Sequence, residues 1–176
     1  MTASRCEWPT WVALASCYGL YAALTLTAGA APFGLGYLGL AVVIAFHSSL
    51  QHEALHGHPT RWPLVNEALV CLPLGFAYPW RRYRDTHLAH HRDARLTDPY
   101  DDPESWYLDP EVWARQPPWM KALLVVNNAA LGRMLIGPAL GWLRFLAADA
   151  RLMLSGRRDV ARAWALHALG FVPVIL

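Results

Sequence analysis

Trp11–Ala30 reads WVALASCYGLYAALTLTAGA, twenty residues without a charge. As an α-helix that length spans about 30 Å, the thickness of a bilayer's hydrocarbon core. The run sits inside a longer one: from Trp8 to His52, forty-five residues, there is no Asp, Glu, Lys or Arg. A water-soluble globule needs a wetted face, and such a stretch cannot supply one. The whole chain of 176 residues agrees, being 55% hydrophobic and 16% charged, against ~25% charged in an ordinary soluble domain. So apolar a chain collapses, which excludes disorder. A net charge of +2 gives no case for a nucleic-acid partner. The expectation is an all-α integral membrane protein.

Beyond this run, Ala31-Pro32-Phe33-Gly34-Leu35-Gly36 is a break, and Tyr37–Leu50 resumes the apolar pattern. The pair predicts a helical hairpin, with its turn on one side of the bilayer and the N-terminus and the downstream histidines on the other. Arg61, Arg81, Arg82, Arg84, Arg92 and Arg95 follow the second run, and Arg157, Arg158 and Arg162 precede the last apolar stretch. The positive-inside rule assigns these regions, with Arg5, to the cytoplasm. Fourteen Arg against one Lys point to a GC-rich bacterial genome, hence to a multi-pass protein of a bacterial inner membrane.

Leu64–Trp80, broken by Pro73 and Pro79, is too short to span and reads as interfacial or re-entrant. Arg81–Leu96 is polar and helical in pattern. Thr97–Glu111 is an acidic loop with Asp98, Asp101, Asp102, Glu104, Asp109 and Glu111 and no base. Trp119–Leu154, divided at Pro138, predicts two helices along the membrane surface. Ala161–Leu176 is sixteen residues, and reads as a third span cut short. Cys6, Cys17 and Cys71 are odd in number and lack CxxC spacing, so they suggest buried apolar residues rather than a disulfide framework or a thiolate metal site.

Seven of the eight histidines lie between residues 47 and 91. His52-Glu-Ala-Leu-His56 is an HxxxH, and His87-Leu-Ala-His90-His91 an HxxHH. Residues three and four apart share a helix face, so His52 faces with His56, and His87 with His90 and His91. Two such helices facing each other bring five imidazoles to one site, and imidazole suits iron, zinc and copper. By composition an HxxxH arises by chance in roughly a third of such chains, an HxxHH in one or two per hundred. The second pattern carries the specificity.

The other titratable groups are weighed against these five. His47 lies about 140° round the helix from His52, which favours a hydrogen-bonded place inside the bundle. His58, between Gly57 and Pro59, is open as ligand or loop residue, and His167 favours a structural role. Glu53 is a candidate outer acceptor for an imidazole N–H. Asp98, before Pro99, suits a turn better than that role. HEALH also matches the zincin pattern HExxH, in which Glu is a general base. A single-zinc protease leaves His87, His90 and His91 unexplained, so the second cluster decides against it. A metal transporter needs ionisable groups at membrane depth, whereas these pairs follow the end of the second run.

HEALHGH after an apolar hairpin, with HLAHH about thirty residues on, resembles the membrane fatty-acid desaturase/hydroxylase superfamily. The resemblance implies a cytoplasmic site of two iron ions, with dioxygen as co-substrate and electrons from a separate donor such as a ferredoxin. It assigns His52 and His56 to the first histidine box, and His87, His90 and His91 to the second. A third box is missing, so residues 1–176 read as an incomplete desaturase-like domain, expected to be inactive alone. The implied reaction is desaturation of fatty-acyl lipid in the bilayer. The alternative is a carotenoid ketolase or hydroxylase, which His-Glu-Ala-Leu-His-Gly and Asp-Pro-Tyr-Asp-Asp-Pro also resemble. The chain has no Cys cluster or dinucleotide fingerprint, so the electron donor is expected from outside. Arg81, Arg82 and Arg84 are its candidate docking site.

Overall fold

The computed structural model describes residues 7–30, 34–92, 94–95, 97–102, 105 and 107–175. The expectations for Arg5, Cys6, the Ala31-Pro32-Phe33 break, Glu104 and Leu176 lie outside these residues. Among those described, all regular structure is helical. The helices are α1 (Trp8–Thr27), α2 (Leu35–Leu55), α3 (Pro63–Val70), α4 (Trp80–His90), α5 (Pro110–Ala114), α6 (Pro118–Asn128), α7 (Ala130–Leu135), α8 (Gly137–Leu154) and α9 (Arg158–Ile175), with a 3-10 turn at Ala28–Ala30. They fall into two compact units, one of residues up to Arg84 with those from Ala163 on, the other Asp85–Arg162.

In the first unit α1 packs on α2, and α2 on α3. Leu14 and Cys17 of α1 meet Val43, Leu50 and Ala54 of α2 and Val70 of α3 in one core, closed by Leu74 and Trp80. The outer faces are apolar too: Val12, Leu20, Leu26, Leu38, Val42 and Phe46 are exposed. Among the described residues one helix, α1, is long and apolar enough to cross a membrane. The expected hairpin of two helices is present, but α2 does not meet that standard as its partner. Its last two turns carry Ser48, Ser49, Gln51, His52 and Glu53, so the apolar run gives way to a polar end within the same helix.

α2 stops at a Schellman motif. Gly57, at φ 96°, is left-handed; its N–H donates to the Ala54 carbonyl at 3.2 Å, and the His58 N–H to that of Glu53 at 3.2 Å. Pro63 opens α3 after an extended Trp62. Residues 71–79 then run without regular structure, in keeping with a segment too broken to span.

In the second unit, Trp119–Leu154 forms three helices, not the two expected. The division expected at Pro138 is present just before it, between α7 and α8; Pro138 lies in the first turn of α8, where its missing N–H costs nothing. The extra break falls at Ala129, whose extended backbone separates α6 from α7. Gly132 allows this corner: a Cβ there would lie 1.9 Å from the Val126 carbonyl oxygen.

Candidate metal centre

The last turns of α2 carry the first histidine pair. His52 lies within the helix and His56 is its C-cap, and the i,i+4 spacing sets their rings 4.6 Å apart, edge to face. Glu53 Oε1 is 3.7 Å from His52 Nδ1, an ion-pair distance too long for a hydrogen bond. An open pocket of about 320 Å³ lies beside this turn, lined by Ala45, Ser48, Ser49, His52, Glu53 and Tyr83.

The second pair lies at the far end of α4. That helix is anchored at its start by Glu67 of α3, which accepts from Arg81 Nε at 2.8 Å and from Arg84 Nη1 at 3.1 Å. Two of the three arginines expected to receive an electron donor therefore hold α4 to α3. One turn past Arg84 is His87, 9% exposed; its ring and that of His91 are again 4.6 Å apart. Their Nε2 atoms face each other at 2.9 Å. Two ligands about 2.1 Å from a common ion and about 90° apart stand about 3 Å from each other, so this pair already has the spacing of neighbouring ligands. Imidazole nitrogen is a borderline donor that accepts first-row metals.

His90 differs from its neighbours. Its ring is 6.2 Å from that of His87 and 5.7 Å from that of His91, and its Nδ1 lies 2.8 Å from Asp102 Oδ1. Asp102 is 4% exposed, and its other oxygen accepts the Thr97 N–H at 2.9 Å. Asp98 makes the turn that its place before Pro99 predicts, accepting from the Tyr100 and Asp101 N–H groups at 2.8 and 3.0 Å. Those two bonds hold its carboxyl below the usual carboxylate range. The histidine's carboxylate partner is thus Asp102, which sequence reasoning did not single out. The signal for it was weak: one acidic residue among many in a loop twelve residues downstream.

The remaining histidines are engaged elsewhere. His47 is 2% exposed, and its Nε2 lies 3.2 Å from the Tyr18 hydroxyl. That hydroxyl donates its one proton to the Leu69 carbonyl at 2.7 Å, so it must accept from His47. His58 Nδ1 lies 2.7 Å from Glu7 Oε2, tying the α2 terminus to the residue before α1. His167 bonds the Phe76 carbonyl at 3.1 Å and stacks on Phe171.

His52 with His56 in the first unit, and His87 with His91 in the second, are the candidate metal-holding pairs among the described residues. The residues present fit a metal ion: two imidazole pairs of like geometry, each built by one helical turn. No curated protein and no solved structure matches the chain. A family model does, described as fatty acid desaturase, over residues 28–176. That span holds both histidine pairs and most of the chain, and it brings with it oxidoreductase activity in general and a membrane context. The chain belongs to the fatty acid desaturase family.

Proposed function

We propose that this chain belongs to a membrane di-iron oxidoreductase that uses dioxygen to desaturate fatty-acyl chains. The observation that carries the reading is the repeated pair: His52 with His56 and His87 with His91, each with rings 4.6 Å apart, inside the matched region. In this reading His52, His56, His87, His90 and His91 ligate iron. The single domain spans the chain, with α1, α2 and the apolar part of α9 in the bilayer and the histidines on the cytoplasmic side.

When bound, two irons with dioxygen and two electrons supply an oxidant able to take hydrogen from an unactivated alkyl C–H bond, which no side-chain acid or base can do. The overall change is R–CH2–CH2–R + O2 + 2 e⁻ + 2 H⁺ → R–CH=CH–R + 2 H2O. The protein's part is position and shelter. One helical turn fixes the separation within each pair, and the burial of His87 excludes water from its ring. The Glu67 carboxylate holds the first turn of α4, and so the direction in which His87 and His91 are carried forward. Electrons come from a ferredoxin-like partner. The bonding of Arg81 and Arg84 to Glu67 leaves the docking surface for that partner unassigned.

One observation favours a second reading, oxygenation of a carotenoid ring. The pocket beside His52 is lined by Ala45, Ser48, Ser49, Glu53 and Tyr83, residues whose polar groups suit a neutral, hydrogen-bonding ring end. Lipid profiling of carotenoid-producing cells that express the whole gene decides between the two. New acyl double bonds, lost in the His87→Ala variant, are the expected result. Unchanged acyl chains with new keto- or hydroxy-carotenoids would overturn the first reading in favour of the second.

A further inference from the structure

The contact between Asp102 and His90 is built, not incidental. The acidic loop turns back on itself to make it. Thr97 adopts a left-handed backbone at φ 72°, the Ser105 hydroxyl donates to the Thr97 carbonyl at 2.8 Å, and the Ser105 N–H donates to the Asp102 carbonyl at 3.1 Å. The result is a carboxylate whose side chain is 2% exposed, with one oxygen on a backbone N–H and the other on an imidazole. A carboxylate oxygen only accepts, so the His90 proton must be on Nδ1.

We propose that Asp102 is a positioning residue of the metal centre: it locks His90 in the Nδ1–H tautomer and so presents the Nε2 lone pair as the ligand atom. This rests on the reading of His90 as an iron ligand. The acidic loop then serves the site through Asp102. The hydrogen bond also raises the basicity of the imidazole and removes its freedom to rotate, the usual work of an outer partner to a ligating histidine.

The geometry makes a sharp expectation for Asp102→Asn, which keeps size and shape. The Thr97 N–H at 2.9 Å from Oδ2 requires an acceptor there, so the amide oxygen takes that side. The amide nitrogen then faces His90 Nδ1 and donates to it. Nδ1 must carry the lone pair and Nε2 the proton, so the ring is held in the tautomer that cannot ligate through Nε2. Asp102→Ala removes the constraint without imposing the opposite one, and should fall between.

The test uses the full chain in lipid nanodiscs, its histidines labelled with nitrogen-15 and its fold checked by circular dichroism. In the metal-free wild type, His90 should show a protonated Nδ1 and a bare Nε2; in Asp102→Asn the two should exchange. Ferrous ion affinity, measured under anaerobic conditions, should fall about 10- to 100-fold in Asp102→Asn and less in Asp102→Ala. An unchanged tautomer in Asp102→Asn would overturn the proposal. So would an inverted tautomer with unchanged ferrous affinity, because His90 would then not ligate through Nε2. If the wild type shows the Nδ1–H tautomer but binds no ferrous ion, the metal reading itself fails and takes the proposal's purpose with it. A variant misfolded by circular dichroism shifts the decision to Asp102→Ala, where a His90 still held wholly as Nδ1–H would likewise overturn it.

Discussion

Replacing Glu67 by Gln should loosen the turn that aims α4. The wild-type carboxylate accepts from Arg81 Nε at 2.8 Å and Arg84 Nη1 at 3.1 Å, with its own side chain 16% exposed and the arginines 40% and 33% exposed. Hydrogen bonds to charged groups contribute about 1.5–3 kcal/mol. Gln keeps one acceptor oxygen but turns an N–H2 toward the other guanidinium, so one bond is lost and two donors face each other. Solvent screening at the half-exposed arginines reduces the effect. We expect Glu67→Gln to cost about 1–2 kcal/mol of stability. Glu67→Ala, which removes both acceptors, should cost more.

The assay is denaturant unfolding of the detergent-solubilised chain, followed by its helical signal. The difference between wild type and Glu67→Gln should shrink from about 0.1 M to 1 M salt, as the screening length falls from about 10 to 3 Å. Because His87 and His90 lie three and six residues beyond Arg84, about 4.5 and 9 Å along the helix axis, metal binding should weaken along with stability. Unfolding curves that overlay at low salt would refute the view that this ion-pair network anchors α4.

Gly132→Ala should be strongly destabilising, because its Cβ would meet the Val126 carbonyl oxygen at 1.9 Å. Gly19→Ala, with nothing within 4 Å of its Cβ, should leave stability unchanged or raise it by up to about 1 kcal/mol; thermal unfolding of the two variants checks the contrast. His47→Leu should cost about 1–3 kcal/mol by removing the donor to the half-buried Tyr18 hydroxyl, without changing the metal content read by mass spectrometry. The Asp98 carboxyl is held below its ordinary value by the Tyr100 and Asp101 N–H groups. Its contribution to the turn is therefore complete above about pH 4, the ordinary carboxylate value, and lost as pH falls through the lower folded value. Hydrogen exchange at the Tyr100 and Asp101 amides should accelerate in that acid range, and Asp98→Asn should remove the pH dependence.

What could be read from the sequence followed from local periodicity. The i,i+4 spacing of His52 with His56 and of His87 with His91 is a property of a single helical turn, and both pairs have the ring separation it implies. Gly57 marked the end of α2 for an equally local reason, its left-handed backbone. His90 shared the face of His87 by the same periodicity, but its partner Asp102 is reached through a loop that folds back at Thr97, a geometry with no repeat to read. Asp98 drew attention because a Pro follows it, and it forms the turn. Arg81 and Arg84 looked like a free basic patch because their acceptor, Glu67, lay in a segment read as apolar. The three-helix division of Trp119–Leu154 was hidden because its extra break, at Ala129, rests on the close approach of Gly132 to the Val126 carbonyl, a contact that no periodicity announces. A polar end on α2 was visible as letters, but its weight against the apolar run was not.

On the proposed function, both histidine pairs bind iron. That claim is tested most directly by iron bound per chain, measured by elemental mass spectrometry after anaerobic loading with ferrous ion. Wild type should bind iron, and both the His52→Ala/His56→Ala and the His87→Ala/His91→Ala variants should lose it. His58→Ala and His167→Ala, which alter histidines bonded elsewhere, should keep it. Iron retained at the wild-type level in either paired variant would contradict the account.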